Sequence, residues 1–378
     1  MVARRLSHIL PLLALPSLMA CGQDKAPAGP PPPSEASLSA VSDTPGTERE
    51  NLARAIDALF DKEAVGETRA LLVLRGGRVA ARRFGSDYGP QTRFLGWSLS
   101  QCFTGITIGL LVSDGRLSRD ESAPIATWQR SGDPRGEITL RQLLQMRSGL
   151  RHAETADPQH ASDTVRMLFL DGRDNMARYA QSQPLESEPG GKFEYSAATS
   201  IILADIAARA LTTSDNPKRR SAALSNYMKA RLLEPAGMAS VVTEFDAAGT
   251  MVGSSMIHAT ARDWARLGDF LRNSGSVKGV QILPRRWIDF MMGPSPRNPG
   301  YGAHVWLNRP QPDGRAMLFP GKAPENLFGC IGEHGQYVIG SPDQKLTVVR
   351  LGFTSKEQLP ALRNLLGNLV ALFPARQR

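Results

Sequence analysis

Ser98 is the residue whose surroundings point first to chemistry. It lies in Gly96-Trp97-Ser98-Leu99-Ser100-Gln101-Cys102-Phe103, at the start of a run whose pattern predicts a helix over 98–114. A serine there has unpaired backbone N–H groups beside it and the positive end of the helix dipole beneath it. Both would stabilise an oxyanion developing next to its hydroxyl. A plain N-capping serine accounts for the same segment, and the segment alone does not separate the two. Other chemistries find less support. The six histidines, at 8, 152, 160, 258, 304 and 334, form no His-Glu-x-x-His, and the three cysteines form no Cys-x-x-Cys, so nothing argues for zinc. Gly191-Lys192 and Gly321-Lys322 lack the upstream glycine and downstream Ser/Thr of a phosphate-binding loop. No Gly-x-Ser-x-Gly elbow occurs, which removes the α/β-hydrolase reading. No cofactor is indicated.

The elements that must position Ser98 follow from periodicity. Leu52, Ile56, Leu59 and Phe60 recur at helical spacing and predict an amphipathic opening helix, with the folded part beginning near Glu48. Two strand-like runs, 70–75 and 78–84, flank Gly76-Gly77 and read as a hairpin. A second strand pair, 336–340 and 346–353, turns at Pro342-Asp343, and Leu362, Leu365, Leu366, Leu369 and Val370 mark a final amphipathic helix. Between these ends the pattern is helical over 98–114, 140–146, 197–211 and 261–273, the last with Thr260 and Asp263 as a capping box. The helix after Ser98 is apolar nearly all round and is therefore expected to be buried, with Gly105 and Gly109 admitting close neighbours. The fold class expected is α+β: one antiparallel sheet built from both termini, flanked by helices, with an inserted, mainly helical region.

The order and spacing of several fragments add a resemblance. Gly96-Trp97-Ser98-Leu99-Ser100, Ile138-Thr139-Leu140-Arg141-Gln142-Leu143-Leu144 with Ser148-Gly149-Leu150, Glu188-Pro189-Gly190 to Phe193-Glu194-Tyr195-Ser196, Thr260-Ala261-Arg262-Asp263 and Gly332-Glu333-His334-Gly335-Gln336 occur in series. Together they resemble the class C β-lactamase and penicillin-binding-protein-like serine hydrolases, most closely the aminohexanoate-oligomer-hydrolase and esterase branch, over residues 50 to 372. The resemblance implies that fold, with Ser98 as nucleophile in Ser-x-x-Lys. Here the lysine position holds Gln101. A glutamine amide orients a hydroxyl but does not accept its proton at neutral pH. The resemblance places Tyr195 as the general base or acid, with Ala197 where an asparagine would hold a substrate amide. Without a lysine beside it, Tyr195 is expected to keep a pKa near 10 and to be a poor base. The Lys-Thr-Gly element aligns with Cys330-Ile331-Gly332, so the backbone N–H of Glu333 would be the second oxyanion donor, partnering that of Ser98. His334 would either touch substrate or be a hydrogen-bonded structural histidine. Cys102, one helical turn after Ser98, and Cys330 would face the site, either bridged or as two buried thiols.

Two functions remain open. One is a serine hydrolase of a small ester or amide through a Ser98 acyl-enzyme, slowed by Gln101. The other is an inactive member serving as a binding or scaffolding protein of the cell envelope.

The ends of the chain bear on location. Of 378 residues, 41% are hydrophobic and 21% charged, an ordinary globular balance, and the net charge is +9. Residues 1 to 48 contribute three basic and four acidic side chains, so the remainder carries about +10. That favours anionic neighbours such as headgroups or cell-wall polymers. No Lys/Arg stripe interleaved with aromatics is present, and nucleic acid is not an expected partner. Arg4 and Arg5 precede an apolar stretch from Ile9 to Leu18, interrupted by Pro11 and Pro16 and about half the length a bilayer span needs. With Leu18-Met19-Ala20-Cys21 it resembles a lipoprotein signal peptide over 1–20, Cys21 being lipidated. A Pro/Ser/Ala-rich tether over 21–47 is expected to follow, then the hydrolase domain over 48–378. The expected location is the periplasmic side of a bacterial membrane, the outer one, reached by a lipid anchor.

Overall fold

The computed structural model describes residues 29–375, and the compact unit starts at Pro33. Cys21 and the leader lie outside the described residues. The chain enters through α1 (Glu35–Ala40) and α2 (Arg49–Leu59), then forms β1 (Glu67–Arg75) and β2 (Arg78–Phe84). Gly76 and Gly77 have φ of 58° and 80°, the left-handed pair that a two-residue hairpin requires. Next come β3 (Arg93–Leu95), α3 (Ser100–Ser113), α4 (Leu140–Leu144), α5 (Ala197–Leu211), β4 (Val242–Thr243), β5 (Ile257–Thr260), α6 (Ala261–Arg272) and α7 (Arg285–Met292). The chain closes with β6 (Trp306–Leu307), β7 (Phe328–Gly332), β8 (Gln336–Ser341), β9 (Leu346–Phe353) and α8 (Leu359–Ala371).

The main sheet has the order β2-β1-β9-β8-β7-β6, every pairing antiparallel. The join between the two ends of the chain is β1 against β9, from Glu67 opposite Phe353 to Arg75 opposite Leu346. The α+β class and the sheet built from both termini are therefore as the sequence implied. Both faces of the sheet are covered, because alternate residues serve different cores. Leu71, Val73, Val348 and Ile339 pack with Leu52 and Ile56 of α2 and Leu362 and Leu366 of α8. Ala70, Leu72, Val349 and Val338 pack with α3, α5 and Trp264 of α6. Residues 100 to 111 of α3 are buried without a break, as its all-round apolar sequence requires. Its Gly109 lies against the Trp287 indole, where a Cβ would collide.

Two details correct the sequence reading. Residues 34–47 do not behave as tether. Ser34 caps α1, and its N–H and hydroxyl donate to the Asp57 carboxylate at 2.7 and 2.5 Å. Val41 is buried and bridges Ala81, and the Thr47 hydroxyl donates to the Leu372 carbonyl at 2.7 Å. The segment is too poor in apolar residues to form a core of its own, but it completes one that α2 and β2 begin. The Thr260–Asp263 capping box is half-formed. Thr260 Oγ1 accepts from the Asp263 N–H, while Asp263 turns away to Ser240, whose hydroxyl accepts from the Thr260 N–H at 2.9 Å.

Candidate active site

Ser98 sits in a short 3-10 turn, Trp97–Leu99, that leads into α3. Its backbone is fixed from several sides. The Gly96 N–H donates to the Ile257 carbonyl at 2.9 Å, and the Ser100 hydroxyl accepts from the Ile257 N–H at 3.1 Å, tying the turn to β5. Gly96 lies on the ring of Trp264, leaving no room for a Cβ. Trp97 takes a φ of 49°, a left-handed conformation that costs a bulky residue about 1–3 kcal/mol. Strain of this kind immediately before a half-buried serine points to a required geometry rather than to a simple cap.

Gly332 supplies the facing wall. A Cβ there would collide with the Gly96 carbonyl oxygen and lie 3.2 Å from the Trp97 Cβ, so the end of β7 packs directly on the nucleophile turn. This brings the Glu333 backbone beside Ser98. The Glu333–Gly335 turn is held from below by two side chains. Gln336 Nε2 donates to the carbonyls of Glu333 at 2.9 Å and Gly352 at 2.7 Å. Arg350, fully buried, donates to the Gly335 carbonyl at 2.9 Å and to Thr68 Oγ1 and the Glu67 carbonyl at 3.1 Å each. Burial without a carboxylate partner lowers its guanidinium to about 9, so it stays charged at neutral pH. His334 also has a positive φ, 58°. Its ring is held by stacking on Phe353, centroids 4.3 Å apart, and meets Trp97 edge-on at 5.8 Å.

Across from this wall lies the proton-handling group. Gln101 Nε2 donates to the Tyr195 hydroxyl oxygen at 2.8 Å, and the Ser98 side chain acts on the same hydroxyl, opposing the rise in its pKa. Tyr195 stacks on Trp306 at 5.4 Å and meets Tyr301 edge-on at 6.0 Å. The expectation of an unshifted tyrosine is corrected. Burial pushes its pKa well above 10, and the carboxylates of Glu154 and Glu333 add to the rise, outweighing the opposing influence of Ser98 and Gln101. Glu154 was not identified from the sequence. It arrives from a loop 41 residues before Tyr195 and accepts from the Ala197 N–H at 2.8 Å, at the start of α5. Thr164 donates to the same carboxylate oxygen, and His152 Nε2 lies 2.8 Å from it. Nothing in local spacing announces a carboxylate delivered by a loop, nor the aromatic wall of Tyr301 and Trp306.

Of the two arrangements open to the cysteines, the structure has the bridge: Cys102 and Cys330 are disulfide-bonded, both almost fully buried. Position 330, aligned by the resemblance with a lysine, histidine or small residue, is thus a half-cystine. Ser98, Gln101, Tyr195, Cys330, Gly332, Glu333 and His334 lie around one place, and Cys21 is outside the described residues.

The Beta-lactamase family profile matches residues 54–371. The chain belongs to the Beta-lactamase family. A 6-aminohexanoate-dimer hydrolase of Paenarthrobacter ureafaciens is 27% identical over 300 residues, 75% of this chain and 72% of that protein. A Bacillus anthracis protein assigned as a 6-aminohexanoate-dimer hydrolase superposes with a TM-score of 0.66 at 21% identity, covering 82% of this chain and 80% of that one. EstCE1, a hydrolase with promiscuous acyltransferase activity, gives 0.59 at 17% identity, covering 84% and 98%. These solved structures establish the fold, and the family is one of serine hydrolases that act on small amides and esters.

Proposed function

We propose that this protein is an exported serine hydrolase that cleaves a small ester or amide through a Ser98 acyl-enzyme, at a rate limited by proton transfer. The observation that carries the reading is Ser98 placed between the hydrogen-bonded pair Tyr195–Gln101 and the Gly332 end of its strand, which packs on the Ser98 turn. In the first half-reaction Ser98 Oγ bonds to the carbonyl carbon, and the carbonyl electron pair moves to oxygen. The N–H groups of Ser98 and Glu333 receive that oxyanion. The Ser98 proton passes through Tyr195 to the leaving group as its bond to carbon breaks, and water then releases the acyl group from Ser98. Tyr195 is neutral at pH 7 and Gln101 accepts no proton, so the first transfer is the weak step. Esters with good leaving groups, which need little protonation, are therefore the favoured substrates and amides the slower ones.

Location belongs to the same proposal. Residues 1–28, with the Leu18-Met19-Ala20-Cys21 lipobox, and the Cys102–Cys330 bridge, which persists in an oxidising compartment, support a lipid-anchored protein on the periplasmic side of the outer membrane. The positive charge of the domain supports a cell-wall-related substrate. Cys21→Ser is expected to abolish incorporation of a palmitate analogue.

Gln101 and the raised Tyr195 pKa favour a second reading, a cleft that binds without turnover. Hydrolysis of a p-nitrophenyl ester separates the two. Turnover that is present in the natural protein and lost in Ser98→Ala supports the enzyme. Equal rates for Ser98→Ala and the natural protein would leave only the binding role.

A further inference from the structure

The Ser98 reading leaves one feature of the site unused: a disulfide whose two ends lie in the two halves of the oxyanion hole. Cys102 is on α3, one turn after Ser98, and Cys330 is on β7, two residues before Gly332 and three before Glu333. The two donors that must converge on one oxygen, the N–H groups of Ser98 and Glu333, belong to segments 228 residues apart at the bridge. Such convergence requires positions fixed to about 0.5 Å.

The other restraints on the Glu333–Gly335 turn act in a different direction. Arg350 and Gln336 pin it to β9 and β1, the sheet to which it already belongs. They set the shape of the turn, not its distance from α3. Several contacts cross from β7 and its turn to the nucleophile segment, the His334 ring against Trp97 among them, and two bear most directly on the separation. One is the packing of Gly332 on Gly96 and Trp97, which stops the two from moving closer. The other is the bridge, which stops them from moving apart. Beneath the bridge, the Cys102 sulfur lies 3.1 Å from the carbonyl oxygen of His304, whose ring is itself hydrogen-bonded to Ser200 at 3.0 Å and to the Leu144 carbonyl at 3.0 Å. The bridge therefore rests on the loop that joins α4 and α5 to the site. Nearly complete burial of both cysteines makes it a permanent strut and not an exposed thiol pair.

We propose that the Cys102–Cys330 disulfide is a positioning device for catalysis, holding the Ser98 and Glu333 oxyanion donors at their working separation. This rests on the assignment of Ser98 as nucleophile. The test compares the full-length protein with Cys102→Ala/Cys330→Ala and with Cys102→Ala/Cys330→Val, the second refilling part of the vacated space. Three quantities are read on the folded fraction: kcat and KM for a p-nitrophenyl ester, the rate of Ser98 labelling by a fluorophosphonate, and inhibition by an aryl boronic acid. The last two form tetrahedral adducts that need the hole whether or not proton transfer is efficient. The expected result is a folded double variant with kcat and labelling rate lowered at least 10-fold, boronate inhibition weakened equally, and KM within 2-fold. Unchanged labelling and boronate inhibition in either folded variant would overturn the proposal. So would a chain that folds in neither variant, since the bridge would then be a general staple. Absence of Ser98 labelling in the natural protein would instead overturn the underlying assignment, a failure the natural protein alone reveals.

Discussion

The two walls of the cleft have departed from a working hydrolase to different degrees. The oxyanion wall is over-determined: Gly332 against Gly96, the turn pinned by Gln336 and Arg350, two residues held at positive φ, and a covalent bridge. The proton-handling wall has correct positions but the wrong ionisation. Tyr195 and Gln101 are within hydrogen-bond distance, and yet neither of the two takes a proton at neutral pH. The difference is physical. Oxyanion stabilisation uses backbone N–H groups, which survive side-chain replacement as long as the backbone is held. Proton transfer depends on a pKa, which burial and two neighbouring carboxylates move by electrostatics alone.

Each wall can be broken or restored separately. The largest effect is expected from Gly332→Val, which forces β7 away from Gly96: turnover should fall about 10³-fold with Ser98 and Tyr195 intact, as measured by ester hydrolysis. A fall of less than 3-fold would mean that the wall is not what supports turnover.

His304 lies under both walls and tests their common floor. Burial lowers its pKa from 6.5 to about 4, so the folded state holds a neutral imidazole that the unfolded chain protonates more readily. Stability from this residue is complete above pH 6.5 and is lost as pH falls towards 4. The loss amounts to about 3 kcal/mol. Urea unfolding between pH 4 and 7 should show that slope in the natural protein and a flatter one in His304→Asn.

Gln101→Lys should repair the proton-handling wall. An ammonium beside the Tyr195 oxygen favours the phenolate, and Ser98-dependent turnover at pH 7 should rise about 10²-fold. No gain would place the defect elsewhere. The smallest change concerns pH. Because the Tyr195 pKa is raised, its basic form accumulates only in alkali, and kcat/KM should still be climbing at pH 10. Glu154→Gln removes one of the charges responsible. The climb should then shift to lower pH, with a gain of a few-fold at pH 9, read from the pH–rate profile.

Much of this molecule is local and was legible. The hairpin at Gly76-Gly77, the helix over 197–211 and the strand over 346–353 coincide with their predicted bounds, because turn geometry and side-chain periodicity are settled within a few residues. The α1 segment was not legible, because its stability comes from Asp57 and Arg83 of other elements and not from its own composition.

The sequence by itself determined the family, the buried helix that follows Ser98, and that Gln101 and Tyr195 accompany that serine in the resemblance. Tertiary structure decided what those residues are worth. It brought Glu154 to the start of α5 and raised the Tyr195 pKa. It also joined Cys102 to Cys330 across 228 residues. Distances between segments remote in sequence, and the electrostatic field they create, are properties of the packed chain and have no counterpart in residue spacing.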